Sequence, residues 1–140
     1  MSNDPAAEFW QAISDRNVSA AFARVADDAE VKIPPAGILG TAREGREFFA
    51  STLAAFPDLL LTVKKSFTCT DGVNVTELKL EGTQAADYFG AINQEKHMDI
   101  DQVWLLGTED GVIRSITGYW DLTMLYRRLA VKRLDQVAIA

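Results

Sequence analysis

Two hydrophobic periods succeed one another along the chain, and the change from one to the other falls near residue 57. In the first stretch Phe9, Ile13 and the intervening Trp10 recur at helical spacing, with Asp4 placed as N-cap and Pro5 at the first helical position. Asn17 has the position of a cap for a second short helix, Val18 to Val25, which carries Phe22 and Val25 on one side and stops at Asp27-Asp28. A short strand, Ala29 to Ile33, follows and is ended by Pro34-Pro35, because neither proline can donate to a ladder. Thr41 and Glu44 have capping-box spacing, so a third helix is expected to run to about Ala55. Phe48, Phe49, Thr52, Leu53 and Phe56 form its apolar stripe, and Pro57 marks its exit.

From Leu59 the period becomes two. Leu59, Leu61, Val63, Phe67 and Cys69 alternate with polar residues, and Asp71-Gly72 is a hairpin signal leading into Val73 to Gly82. In that second strand the apolar parity changes, from Val73 and Val75 to Leu78 and Leu80, and a β-bulge or a strong bend in it would reconcile the two. Gln84 to Gln94 lacks a period and reads as a crossing loop, in which Tyr88 and Phe89 are candidates for a lid or for a mobile exposed tip. Lys96 to Leu106 is then a long strand, Thr108 to Gly111 a turn, Val112 to Trp120 the last strand, and Leu122 onward a terminal helix packing through Leu125, Leu129 and Leu134. The order predicts one α+β domain spanning residues 1–140, with three N-terminal helices over one face of an antiparallel sheet and a C-terminal helix.

Composition narrows the functional classes. Hydrophobic residues make up 48% of the chain and charged residues 24%, the balance of an ordinary folded domain. A formal net charge of -6 disfavours nucleic acid and anionic membrane as partners. The densest basic stretch, Arg127, Arg128, Lys132 and Arg133, has the spacing of a last helical turn that complements the helix dipole. A single cysteine, Cys69, allows no intrachain disulfide, and neither a signal peptide nor a membrane span is evident, so a cytoplasmic location is expected.

Candidate chemistry lies mainly in the second half. His97, Asp99 and Asp101 alternate along one strand and share a face, where they could relay protons or bind a metal; no metal or other cofactor is expected, since alternating polar residues also mark a solvated face. Met98, Ile100, Gln102, Trp104 and Leu106 occupy the opposite face, while Val103 and Leu105 share the side of the aspartates, so the sequence leaves open which side is concave. Apolar residues on the outer side would suit a homodimer formed through the sheet. Trp10, Trp104, Trp120 and Tyr119 are candidate walls for a small apolar or aromatic molecule, and equally ordinary core. No phosphate-binding glycine loop, zinc-ligand spacing or nucleophile elbow is present.

Several stretches, in this order, resemble the nuclear-transport-factor-2-like (ketosteroid-isomerase-like) superfamily, and within it the SnoaL-like polyketide cyclases. They are Val25 to Val31, Gly40 to Phe49, Phe56 to Leu59, Asp110 to Ile113, and Tyr119-Trp120-Asp121 with Leu125. The resemblance implies a curved sheet closing as a cone around a pocket covered by the three N-terminal helices. The steroid-isomerase relatives carry a base carboxylate at the position of Ile33 and an oxyanion-donating tyrosine at that of Phe9, so both groups are missing here and those positions become apolar pocket walls. Asp101 resembles their pocket carboxylic acid by position, and Asp121 the acid/base aspartate of the cyclases. The resemblance thus implies a cofactor-independent cyclase, isomerase or lyase acting on an apolar carbonyl compound, with Asp121 assisted by Asp101 or His97 and with Trp120, Tyr119, Phe9, Trp10, Ile33 and Trp104 lining the pocket. Asp121 is also well placed simply to cap the terminal helix, which leaves a non-catalytic ligand-binding or dimeric accessory protein as the alternative.

Overall fold

A computed structural model describes residues 4–131 of the chain; Lys132, Arg133 and Leu134 lie outside the described residues. Asp4 accepts from the Ala6 N–H at 3.0 Å, and Pro5 begins helix α1 (Pro5–Ser14), which buries Ala6, Phe9, Trp10 and Ile13. Helix α2 is shorter than its sequence implies (Val18–Ala21) and passes through one 3-10 turn, Phe22–Arg24, into strand β1 (Val25–Ile33). Val25 is claimed by the sheet because it pairs with Ile113. Asp27 and Asp28 then fall in the irregular stretch between Val25 and Glu30, exposed to water, instead of ending a helix. A three-residue strand that the periodicity does not reveal, β2 (Ile38–Gly40), turns back along β1, and the capping box of Thr41 and Glu44 opens α3 (Ala42–Ala55).

Strands β3 (Leu60–Thr68), β4 (Val73–Thr83), β5 (His97–Glu109) and β6 (Val112–Trp120) form the expected meander. The sheet is nevertheless mixed: its order is β2-β1-β6-β5-β4-β3, and β6 arrives parallel to β1. It is curved and unclosed, leaving β3 as a free edge on one side and β2 on the other. Helices α1 and α3 fill its concave face.

The structure settles which face is which. Met98, Ile100, Gln102, Trp104 and Leu106 are buried inward, beside Asn74, Thr76, Leu78 and Leu80 of β4 and Ile116 and Gly118 of β6. The bulge occurs in β3, between Val63 and Lys65, while β4 keeps strict alternation throughout. Val73, Val75 and Phe67 consequently belong to the outer face, and the parity change in β4 is a real exchange of apolar residues between faces. A hydroxyl and amide network, described below, makes polar residues acceptable on the inner side.

Trp104, with no exposed surface, is the hub of the core; the rings of Phe49, Trp10, Phe48 and Trp120 lie 5.2, 5.5, 5.8 and 6.3 Å from it. The crossing loop is pinned. Tyr88 is 3% exposed and shares a 2.8 Å hydrogen bond with Thr52, and Phe89 packs 5.3 Å from Phe48. Helix α4 (Leu122–Arg128) buries Leu125 and is tied to that loop by Gln94, whose amide donates to the Leu129 and Ala130 carbonyls, and by the Tyr126 hydroxyl, which donates to the Phe89 carbonyl. No helix among the described residues is long and apolar enough to cross a membrane.

Candidate functional site

Ala7, Trp10, Gln11 and Ser14 follow the i, i+3, i+4, i+7 spacing of one helix face, and on α1 they form one wall of a cleft. Leu61, Val63 and Ser66 of β3 and Thr76 of β4 form the other, enclosing about 380 Å³, within the usual range of small-molecule sites. The β3 bulge decides the character of this wall. Uninterrupted alternation from Leu61 and Val63 would bring Lys65 and Phe67 inward. The extra residue instead turns Ser66 in, and leaves Lys64 on the outer face 3.2 Å from Asp101.

Ser66 is held by its neighbours. The Asn74 amide donates to the Ser66 and Thr68 hydroxyls at 3.1 and 3.2 Å, and the Thr76 hydroxyl donates to the Asn74 carbonyl oxygen at 2.6 Å. Ser66 and Thr76 hydroxyls are themselves 3.1 Å apart. Since Thr76 spends its proton on Asn74, Ser66 keeps one to give either to Thr76 or to a molecule in the cleft. The cleft is thus apolar with a strip of neutral hydrogen-bonding groups, and none of its eight lining residues carries a formal charge.

Behind the cleft, a second hollow is bounded by Trp10, Ile13, Phe48, Phe49, Thr52, Leu53, Leu59, Leu61, Leu78, Leu80 and Gln102. It has room for about one water, roughly 10 Å³. Trp10 and Leu61 belong to both linings, so the indole and the leucine form the partition between them. The space behind Trp10 is therefore nearly filled, because the large rings on α1, α3 and β5 occupy it. Tyr88 is the titratable side chain buried against this region; burial pushes its phenol above the ordinary range, and it serves as a neutral hydroxyl facing Thr52.

The remaining candidates are distributed as follows. Asp121, Asp101 and His97, expected near the mouth of a pocket, are all exposed, on or beside the outer face. The reason is parity, since Gln102 pairs with Trp120 and both turn inward, which sends Asp101 and Asp121 out. Asp121 caps α4, accepting from the Met124 N–H at 3.0 Å, and with Asp101 it lines an open groove of about 400 Å³ that also holds Lys64, Lys79, Asp99 and Arg128. His97 lies apart from that groove, its Nδ1 3.4 Å from the Thr83 hydroxyl. Phe9, Ile33 and Trp104 are fully buried and line neither hollow, Trp120 stacks on Phe48 at 5.8 Å, and Tyr119 is 45% exposed on the outer face. Of the expected walls only Trp10 lines the cleft. Gln11, Ser14, Ser66 and Thr76 escape the sequence reading; the i+4 partners of Ala7 and Trp10 were the available signal for the first two, whereas the strand residues depend on the unseen bulge. Among the described residues no group of three or more His, Cys, Asp or Glu is disposed to hold a metal ion.

Comparison with known proteins agrees with the geometry of the fold. The model of the SnoaL-like polyketide cyclase family matches residues 5–129. IdmH of Streptomyces antibioticus, provisionally described as a polyketide cyclase, is 20% identical with a TM-score of 0.77, over 91% of this chain and 97% of that one. AclR of Streptomyces galilaeus, provisionally described as a hydroxylase, is 18% identical with a TM-score of 0.78, over 90% and 92% of the two chains. A Catenulispora acidiphila protein with a ketosteroid isomerase-like fold, solved in complex with trimethylamine, is 16% identical with a TM-score of 0.77, over 96% and 98%. Among curated proteins, none matches the chain.

Proposed function

Because the chain belongs to the SnoaL-like polyketide cyclase family, whose membership suggests a cyclase- or isomerase-type enzyme acting on a small molecule, we propose that it confines a neutral, largely apolar carbonyl compound in the cleft between α1 and β3. The observation that carries this reading is the uncharged lining. An ion entering the cleft would give up water without gaining a counter-charge, whereas a carbonyl or hydroxyl exchanges its water for Gln11, Ser14 or Ser66 and buries its apolar body against Leu61, Val63 and Trp10. For ring closure within one molecule, holding the reacting ends together is itself a large part of the barrier lowering, and neutral donors polarise the carbonyl. The test is binding of the neutral fluorophore N-phenyl-1-naphthylamine. Emission should rise with the wild-type protein, and Val63→Glu, a charge at a half-exposed edge position, should remove the response while leaving Tm near that of wild type. A dark wild-type complex, or a variant that binds equally well, refutes the reading.

A second reading has its own support. Asp101 and Asp121 line one groove, so the pair could exchange protons with a substrate held from outside by Lys64, Lys79 and Arg128. It is distinguished by pairing Asp121→Asn with Asp101→Asn: loss of turnover without loss of cleft binding favours the groove. The reading also includes a homodimer through the sheet. Its support is the apolar row Phe67, Val75 and Leu105, which pair across β3, β4 and β5, with Val103 and Tyr119 paired beside it on the same outer face.

A further inference from the structure

Along the inner face of β4 the leucines give way to polar residues. Leu80 and Leu78 are succeeded, toward the hairpin, by Thr76 and Asn74, which are 0% and 1% exposed. Polar groups survive such burial where hydrogen bonds replace the water they lose, and here the edge strand supplies them. The Asn74 amide nitrogen spends its two protons on the Ser66 and Thr68 hydroxyls, and its carbonyl oxygen takes the proton of Thr76. Ser66 pairs with Thr76 across the strands and lines the cleft; unlike Asn74 and Thr76, it is exposed to water.

This inventory leaves the Ser66 proton two takers, Thr76 at 3.1 Å and a guest. Thr76 is the better one. It is fully buried, so a lone pair that Ser66 abandoned could not turn to water instead. The contact also closes a ring in which every hydrogen bond runs the same way, from Ser66 to Thr76, from Thr76 to the Asn74 carbonyl, and from the Asn74 amide back to Ser66. Hydrogen bonds in such a chain polarise one another, and an oxygen that has given its proton away accepts more strongly. Ser66 therefore meets the cleft with a lone pair. Resting on the cleft reading above, we propose that the strand wall recognises a hydroxyl on the guest, a phenol or enol whose proton goes to Ser66 Oγ, with Asn74 and Thr76 as the positioning residues that set the direction of that bond. The carbonyl of the same guest is left to Gln11 and Ser14 on the helix wall. The substrate class narrows from apolar carbonyl compounds to those that also carry a phenolic or enolic hydroxyl.

Three naphthalenes of similar outline isolate the proton. 2-Naphthol has the donor, 2-methoxynaphthalene keeps the oxygen without it, and 2-methylnaphthalene has neither. Displacement of N-phenyl-1-naphthylamine reads their affinities. Wild-type protein is expected to bind 2-naphthol about three- to tenfold more tightly than either of the others, the range of one neutral hydrogen bond. In Ser66→Ala the three should bind alike. Thr76→Val keeps the shape of the side chain and removes its oxygen, which frees the Ser66 proton for the cleft. 2-Methoxynaphthalene should then tighten while 2-methylnaphthalene does not, a change in ratio that a merely structural role for Thr76 would not produce. Wild-type protein that holds the fluorophore but does not prefer 2-naphthol, a preference that survives Ser66→Ala, or ratios unmoved by Thr76→Val overturns the assignment and leaves the cleft reading standing. Failure of the fluorophore and of all three naphthalenes to bind overturns the two together.

Discussion

Gly118→Ala is the most severe small change the structure allows on the inner face. Position 118 faces inward on β6, opposite Trp104, and a Cβ built there meets three atoms of the Trp104 six-membered ring at 2.5, 2.6 and 2.7 Å. Ordinary contact begins near 3.4 Å, so the ring would have to retreat by about 0.9 Å. Trp104 has no exposed surface, and its ring is enclosed by Trp10, Phe48, Phe49 and Trp120, so the displacement passes into a packed cluster. Overpacking of this kind costs about 2–3 kcal/mol, which corresponds to a fall in Tm of roughly 6–10 °C for a domain of this size. Calorimetry with urea denaturation checks it. In a Trp104→Phe background, where the offending ring is smaller, the same glycine change should cost less than about 1 kcal/mol. A Tm within about 2 °C of wild type, or an equal cost in both backgrounds, refutes the steric reasoning. The consequence for function is direct. Position 118 is the inward place on β6 between Ile116 and Trp120, and a carboxylate there meets the same obstacle as the alanine, with a charge to bury besides.

Three further outcomes are expected. Asp121→Asn should leave stability within about 0.5 kcal/mol of wild type and Asp121→Ala should lose about 1 kcal/mol, because asparagine caps as well as aspartate; equal losses in urea titrations would show that the cap bond to Met124 is not the source. The Asp58 carboxylate accepts the Thr83 backbone N–H at 2.8 Å, which holds its pKa below the ordinary value. A lowered pKa means stabilisation that is present above the unfolded-state pKa and lost as pH falls through the folded one, so the Tm gap between wild type and Asp58→Ala should close below the usual carboxylate range; a gap undiminished at about pH 2.5 contradicts this linkage. Light scattering on wild type and on a Val103→Lys, Leu105→Lys variant tests the outer face: dimer mass should give way to monomer mass, and a monomeric wild type at roughly 100 μM removes the proposed interface.

The sequence by itself determined the elements that local chemistry controls. Asp4-Pro5 and Thr41 with Glu44 start their helices because caps are short-range hydrogen bonds, and the turn signal Asp110-Gly111 marks where the last strand, Val112–Trp120, begins. Family membership was likewise legible in the order of short motifs, and with it the curved sheet. What only the tertiary structure decided is which way the side chains point and how much space remains. Alternation along Lys96 to Leu106 defines two faces and names neither, since the aspartates have Val103 and Leu105 on their own side. Burial of Trp104 and pairing of Gln102 with Trp120 resolve the ambiguity and turn Asp101 and Asp121 outward. One inserted residue in β3, invisible as a break in pattern, exchanges Lys65 for Ser66 in the cleft wall. Period-two arithmetic fails after such a bulge because a single step of register reverses every later side chain. The volume of the cone depended on rings brought together from α1, α3, β5 and β6, a sum over distant positions that no local window contains.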